Sequence, residues 1–289
     1  MKLLKITLSA FFLFCFGLAN AQDDLMNELD ATKSDKKEVE MAAFKGLQVC
    51  NMQSTKLPVK GEFYFLVTHR FGDLTNGMNN FFGLDNALTK IGGIYGVTNW
   101  LSLGVSRHTY QKTYEFAAKY KLANQMVDGF PVTIVGYNTM DINSELKKAT
   151  SPELAFTNRL AYSTQLIVSR KFNSSLSFEL TPMYIHKNLY DAALDQKDLY
   201  LLGAGGRCKL SKRLSLNVEY AARLSMPDEF KSPYYNPLTF GLDIETGGHV
   251  FQLVFSNSQT MNDVSMYSSA SGSGIGKGIF FGFNMYRVF

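Results

Sequence analysis

The feature that most constrains the fold is a period of two that runs along most of the chain. In KTYEFAAKYKL (112–122), Tyr114, Phe116, Ala118, Tyr120 and Leu122 alternate with Thr113, Glu115, Ala117, Lys119 and Lys121. In RLSLNVEYAARL (213–224), Leu214, Leu216, Val218, Tyr220 and Ala222 alternate with Arg213, Ser215, Asn217, Glu219 and Arg223. In LTFGLDIE (238–245), Leu238, Phe240, Leu242 and Ile244 alternate with Thr239, Gly241, Asp243 and Glu245. Successive side chains of a strand point to opposite faces, so each segment belongs to a sheet with one oily and one wet face. A soluble sandwich turns the oily face inward. An outer-membrane barrel turns it outward to lipid.

Strand length and loop asymmetry choose between the two. Strands are expected near 61–71, 88–97, 99–109, 112–123, 130–140, 156–171, 174–186, 197–210, 212–224, 237–246, 248–257 and 278–289. At roughly 9–13 residues they are long for a sandwich and suit a tilted bilayer crossing. Short turns at Thr98-Asn99, Phe172–Ser174, Ser211 and Gly247 alternate with long connections over 72–87, 141–155, 187–196, 225–236 and 258–277. Short turns facing the periplasm and long loops facing outside describe a bacterial barrel, and twelve strands satisfy its even number. The expected fold is all-β, an antiparallel transmembrane β-barrel of about 12 strands.

The first residues, MKLLKITLSAFFLFCFGLANAQ, read as a secretory signal peptide. They have a short basic start, an apolar run from Ile6 to Leu18, and Ala19-Asn20-Ala21 before a cut at Gln22. No later stretch has the roughly 18 apolar residues of a membrane helix. Losing Lys2 and Lys5 from the 29 basic residues leaves 27 against 25 acidic, which excludes a nucleic-acid footprint. Cys50 and Cys208 are the only cysteines left to pair, and two so far apart are weak evidence for a disulfide. The chain divides into a signal peptide (1–21), a periplasmic N-terminal segment or plug (22–54) and the barrel (55–289). FKGLQVCNMQ (44–53) has some strand character, but parity makes it periplasmic or lumenal rather than a thirteenth strand.

The last strand, GIFFGFNMYRVF (278–289), puts Ile279, Phe281, Phe283, Met285 and Phe289 on one face and Gly282, Asn284 and Tyr286 on the other. Phe283, Met285 and the terminal Phe289 resemble the sorting signal read by barrel-insertion machinery. Arg287 departs from that pattern, since an apolar residue is usual two places before the end.

HRFGDLTNG (69–77), FFGLDNA (81–87), GIYG (93–96), GVSR (104–107), KTYEFAAKYKL, GGHVFQLVFSNS (247–258) and FGFNMYRVF (281–289) resemble an uncharacterised outer-membrane β-barrel family found mainly in Bacteroidetes-type bacteria. The resemblance runs from about Phe44 to the end. It implies a barrel and no reaction.

No motif carries catalysis. His69, His108, His186 and His249 have no Ser two residues on, as a barrel phospholipase would require. Alternation points His69 and His186 outward and His108 inward, so no metal site is expected. Asp73, Asp85, Asp191 and Asp195 read as solvated loop carboxylates. GAGG (203–206) lacks the following helix and Lys-Ser/Thr pair of a phosphate loop. GSGIGKG (272–278) reads as a mobile outer loop. The expectation is a non-enzyme without cofactor or metal.

The informative surface is the lumen. Its candidate lining is Glu62, Arg70, Lys90, Glu115, Lys119, Lys121, Arg159, Glu179, Arg207, Lys209, Arg213, Glu219, Arg223, Asp243 and Glu245. Twelve strands enclose more space than the eight that side chains alone fill, and less than an open porin. The first reading is a narrow porin-like channel or a solute-binding barrel in the outer membrane, with outer-membrane lipids, the insertion machinery and a small polar solute as partners. The alternative is a structural or adhesive barrel with a closed lumen and partner-binding outer loops. A rim-located lipid or peptide hydrolase ranks below both.

Overall fold

The computed structural model describes residues 39–40, 42–146, 153–224, 233–246, 249–273 and 277–289. The expected signal peptide and most of the segment after it lie outside the described residues. Twelve antiparallel strands form one closed sheet: β1 (Phe63–Asp73), β2 (Ala87–Gly96), β3 (Leu101–His108), β4 (Tyr114–Ala123), β5 (Thr133–Ile142), β6 (Leu160–Lys171), β7 (Leu176–Lys187), β8 (Asp198–Lys209), β9 (Leu214–Arg223), β10 (Leu238–Thr246), β11 (His249–Ser256) and β12 (Phe280–Val288). Every strand expected from the alternation is present. Each pairs with its neighbours in sequence, and β1 closes the ring on β12 through Tyr64↔Val288, Thr68↔Asn284 and Arg70↔Gly282. Phe63 and Phe289 exchange main-chain hydrogen bonds at 3.2 and 2.9 Å. No edge is left unpaired, as lipid requires.

The outer face carries the expected oily set. Phe65, Val105, Phe116, Leu180, Leu202, Phe240 and Phe255 are exposed on it. Phe71, Phe255, Phe281, Phe283 and His69 form a run of ring contacts over the β11–β12–β1 seam. Among the described residues no helix is long and apolar enough to cross a membrane. The crossing is made by strands.

The inner face differs from the uniformly polar face that the alternation predicts. It is packed, and much of it is apolar. Ile185, Leu199 and Leu201 of β7 and β8 point inward and are buried, as are Tyr64, Leu66, Val135 and Tyr137. The reason is that the lumen holds two stretches of the chain's own backbone. Residues 42–58 enter from the short-turn end. The β11–β12 connection enters from the long-loop end, and it contains a short helix, α1 (Asp263–Ser268), with every residue buried. That connection (258–277) is expected as a long outer connection; its residues 258–270 are instead folded inward, while the mobile-loop expectation for 272–278 lies partly outside the described residues.

Candidate functional site

The first insert is a tight hairpin. Gln48 bridges to Gln53, Val49 N donates to Met52 O at 2.8 Å, and Ser54 N donates to Leu47 O at 3.0 Å. Cys50 and Asn51 form its tip. Three successive amides there point one way, and Glu219 of β9 meets them: its carboxylate accepts from Cys50 N (3.0 Å), Asn51 N (2.9 Å) and Met52 N (2.9 Å). A carboxylate against a nest of main-chain N–H groups is a strong, charge-assisted arrangement.

The rest of the wall holds the hairpin in the same manner. Arg70 Nη2 donates to Asn51 Oδ1 (2.7 Å) and Asn284 Oδ1 (2.9 Å). Asn284 Nδ2 donates to Cys50 O at 2.6 Å. Gln252 and Asn217 both donate to Val49 O and to Asp243. Lys119 Nζ donates to Leu47 O and Ser54 O, both at 3.0 Å. Tyr286 donates its hydroxyl to Gln48 Oε1. Arg70, Lys119 and Glu219 thus bind the insert's backbone and amides. Burial pushes the Cys50 thiol up, and the Glu219 and Asp243 carboxylates add to it against Arg70.

Apolar contacts complete the fit. Leu47 packs with Tyr64, Leu66 and Tyr286, and Phe44 and Val49 with Val254. Met52 joins Met183, Ile185, Leu199, Leu201 and Ala221 in one cluster that also contains Val264, Met266 and Tyr267 of α1. The two inserts therefore share an apolar core inside the barrel. Glycines make room for it. A methyl at Gly203 would lie 2.4 Å from Met183 Cε and 2.7 Å from Met52 Cε; one at Gly241 would lie 2.4 Å from Cys50 Sγ. Cys208 neighbours the inward Arg207 on β8, so its Cβ points to the other side of the wall from Cys50. The two thiols are not joined.

The second insert is latched by the long-loop half of the wall. Arg223 donates to Tyr267 O (3.0 and 3.2 Å) and Ser268 O (2.9 Å), which satisfies carbonyls at the end of α1. Gln165 donates to Asp263 Oδ1 at 3.0 Å, and Asn262 donates to Asp141. Lys90 pairs with Glu115 at 2.7 Å and reaches Met261 O at 3.4 Å. Burial, then the Glu115 carboxylate, pushes Asp263 up to about 6 against the opposing Lys90.

Of the candidate lining residues, Arg70, Lys90, Glu115, Lys119, Glu179, Arg207, Glu219 and Asp243 are buried in the lumen. Arg207 pairs with Glu245 at 2.6 Å. Arg159 and Arg223 sit at the long-loop mouth. Glu62, Lys121 and Lys209 lie partly exposed toward the short-turn end, and Arg213 is exposed in the β8–β9 turn. The amides Asn51, Asn217, Gln252 and Asn284 are as central as the charges; the alternation places Asn217 and Asn284 on the inner face, but the candidate lining names charged residues alone. Among the described residues no three His, Cys, Asp or Glu side chains come together as a metal would need. His69 and His186 face outward; His108 is inward and fully buried.

These features define a membrane-spanning β-barrel with an occupied lumen. The chain belongs to the family described as a membrane bound beta barrel domain (DUF5777), whose model matches residues 44–289. Even-numbered closed barrels of this kind reside in the outer membrane. None of the curated proteins matches the sequence. Among solved structures the chain is similar to the NanC porin at 10% identity, covering 78% of this chain and 98% of that one with a TM-score of 0.47. It is similar to the KdgM porin at 11% identity, covering 79% and 99% with a TM-score of 0.46. A third is the Acinetobacter baumannii outer membrane protein Omp33, at 11% identity, 81% and 100% coverage and a TM-score of 0.41. At such values the likeness is loose, and the twelve-strand closure stands on the pairings described above.

Proposed function

We infer that this protein is a non-catalytic, porin-like conduit, closed at rest by its N-terminal hairpin and by the β11–β12 insert, that passes small polar solutes when these withdraw. The observation that carries this reading is the direction of the wall charges. Glu219, Lys119 and Arg70 bind backbone and amide groups of the hairpin rather than one another. A barrel built only as a wall gains nothing from charges that need a removable partner. Without the hairpin the same side chains line a wet, charged passage, as in selective pores. Its setting is outer-membrane lipid, and Phe283, Met285 and Phe289 serve as the signal to the insertion machinery.

Planar-bilayer conductance of the purified protein tests the reading. The full chain is expected to be mostly closed, and a chain lacking both 22–56 and the β11–β12 insert to conduct steadily. The filling of the mid-barrel lumen by both inserts favours a second reading, a permanently closed structural barrel. A protein lacking both inserts that still shifts on heating in gels, as a closed barrel does, yet never conducts would establish it.

A further inference from the structure

At the long-loop mouth a cavity of about 630 Å³ lies above α1, filled by neither insert. We propose that it binds a small zwitterion of amino-acid or dipeptide type, with the ligand carboxylate on Arg159 and its ammonium on Asp141. The size suits a small-molecule site. Both residues line the cavity and face inward. Asn143 N donates to Arg159 O at 2.9 Å, so Asp141, two residues before Asn143 on β5, is the diagonal neighbour of Arg159. Such neighbours stand roughly 7–8 Å apart.

The two opposite charges are not an ion pair with each other. Asp141 is 4% exposed; one of its oxygens takes Asn262, and the other has no partner. Arg159 Nε is likewise without a partner. The cavity's other charges are paired or lie exposed at its rim. Lys187 pairs with Asp195, and Asp191 accepts from Ala193 N at 2.9 Å. Nearby Lys90 is held by Glu115. A buried acceptor and donor left open are costly, and a ligand presenting both complementary ends relieves both. A compact anion would satisfy Arg159 and be repelled by Asp141; a compact cation would do the reverse. A neutral sugar would leave both charges uncompensated. Tyr110 and Tyr190 in the wall offer ring surface to the ligand's side chains. The site goes beyond the conduit reading, since a permanently closed barrel could carry it equally.

Calorimetric titration of the full chain in detergent tests the proposal, with Leu-Leu dipeptide, its N-acetyl and C-amide forms, and maltose as probes. The free dipeptide should bind saturably, and blocking either end should weaken binding at least tenfold. Arg159→Gln should abolish the penalty for amidation and keep that for acetylation. Asp141→Asn should do the opposite. The proposal is overturned if the blocked forms or maltose bind as well as the free dipeptide, or if no saturable binding occurs in the millimolar range. The wild-type comparison alone decides the matter should either variant fail to form a heat-shifting barrel.

Discussion

Glu219 holds the hairpin tip by three amides, and Glu219→Gln separates its charge from its shape. The amide keeps the volume and loses the carboxylate, and hydrogen bonds to a charged group contribute about 1.5–3 kcal/mol. Open events in planar bilayers should rise roughly tenfold or more, since about 1.4 kcal/mol is a factor of ten. Unchanged gating would remove Glu219 from the latch. On the opposite face, Phe116→Lys puts a cation in lipid at a cost of about 2–4 kcal/mol near the midplane; heat-modifiable barrel should fail to accumulate. Ser215 shows where alternation alone misleads. It reads as a wet inward position that would tolerate charge. In the structure it is fully buried and accepts from Arg207 Nη2 at 2.7 Å, so Ser215→Lys should also impair assembly. Face is legible from a period of two. What stands across the lumen is not, which is why Glu219 was found and its partner Asn51 was not.

At the scale of elements, the strands were legible because each carries its own face pattern, and their ends agreed within a few residues. Of the inserts, the first is read only as a periplasmic segment or plug, without its hairpin, and the second is not read at all. The connection after β11 is mostly small and polar, and only Val264, Met266 and Tyr267 hint at a buried side. That insert should respond to pH. Around Asp263 stand Gln165 of β6, Lys90 of β2, Glu115 and Lys119 of β4, and Asp141 of β5. The Asp263 carboxyl titrates at about 6 when docked, against an ordinary 3.8 when released. Folded-state protonation is therefore favoured, docking is strongest below the lower value, and it weakens as pH rises through 6. Residues 257–273 should become more open to protease or hydrogen exchange between pH 4 and pH 7. Asp263→Asn should flatten that response; an unaltered pH profile in the variant would exclude Asp263 as its source. For β12, removing Phe289 deletes the main-chain bonds to Phe63 that finish the seam. Slower arrival in the outer membrane is expected, and normal accumulation would count against its role as a signal.

For the whole molecule, the number of strands sets the problem that the inserts solve. A ring of twelve is too wide for its own side chains to fill, and the hairpin and α1 supply the missing interior from opposite ends. The charged lumen read from the sequence was real in its residues and different in its contents, because burial of a wall charge depends on chain segments far away in sequence. The most direct test is a cross-link between the hairpin tip and the wall. Asn51 Nδ2 lies 3.0 Å from Thr239 Oγ1. In a Cys50→Ser, Cys208→Ser background, Asn51→Cys with Thr239→Cys should form a disulfide under mild oxidation in intact outer membranes, seen as a gel shift that reverses on reduction. A correctly inserted barrel in which that bond never forms, while a cysteine pair placed across β9 and β10 does, would show that the hairpin does not occupy the lumen.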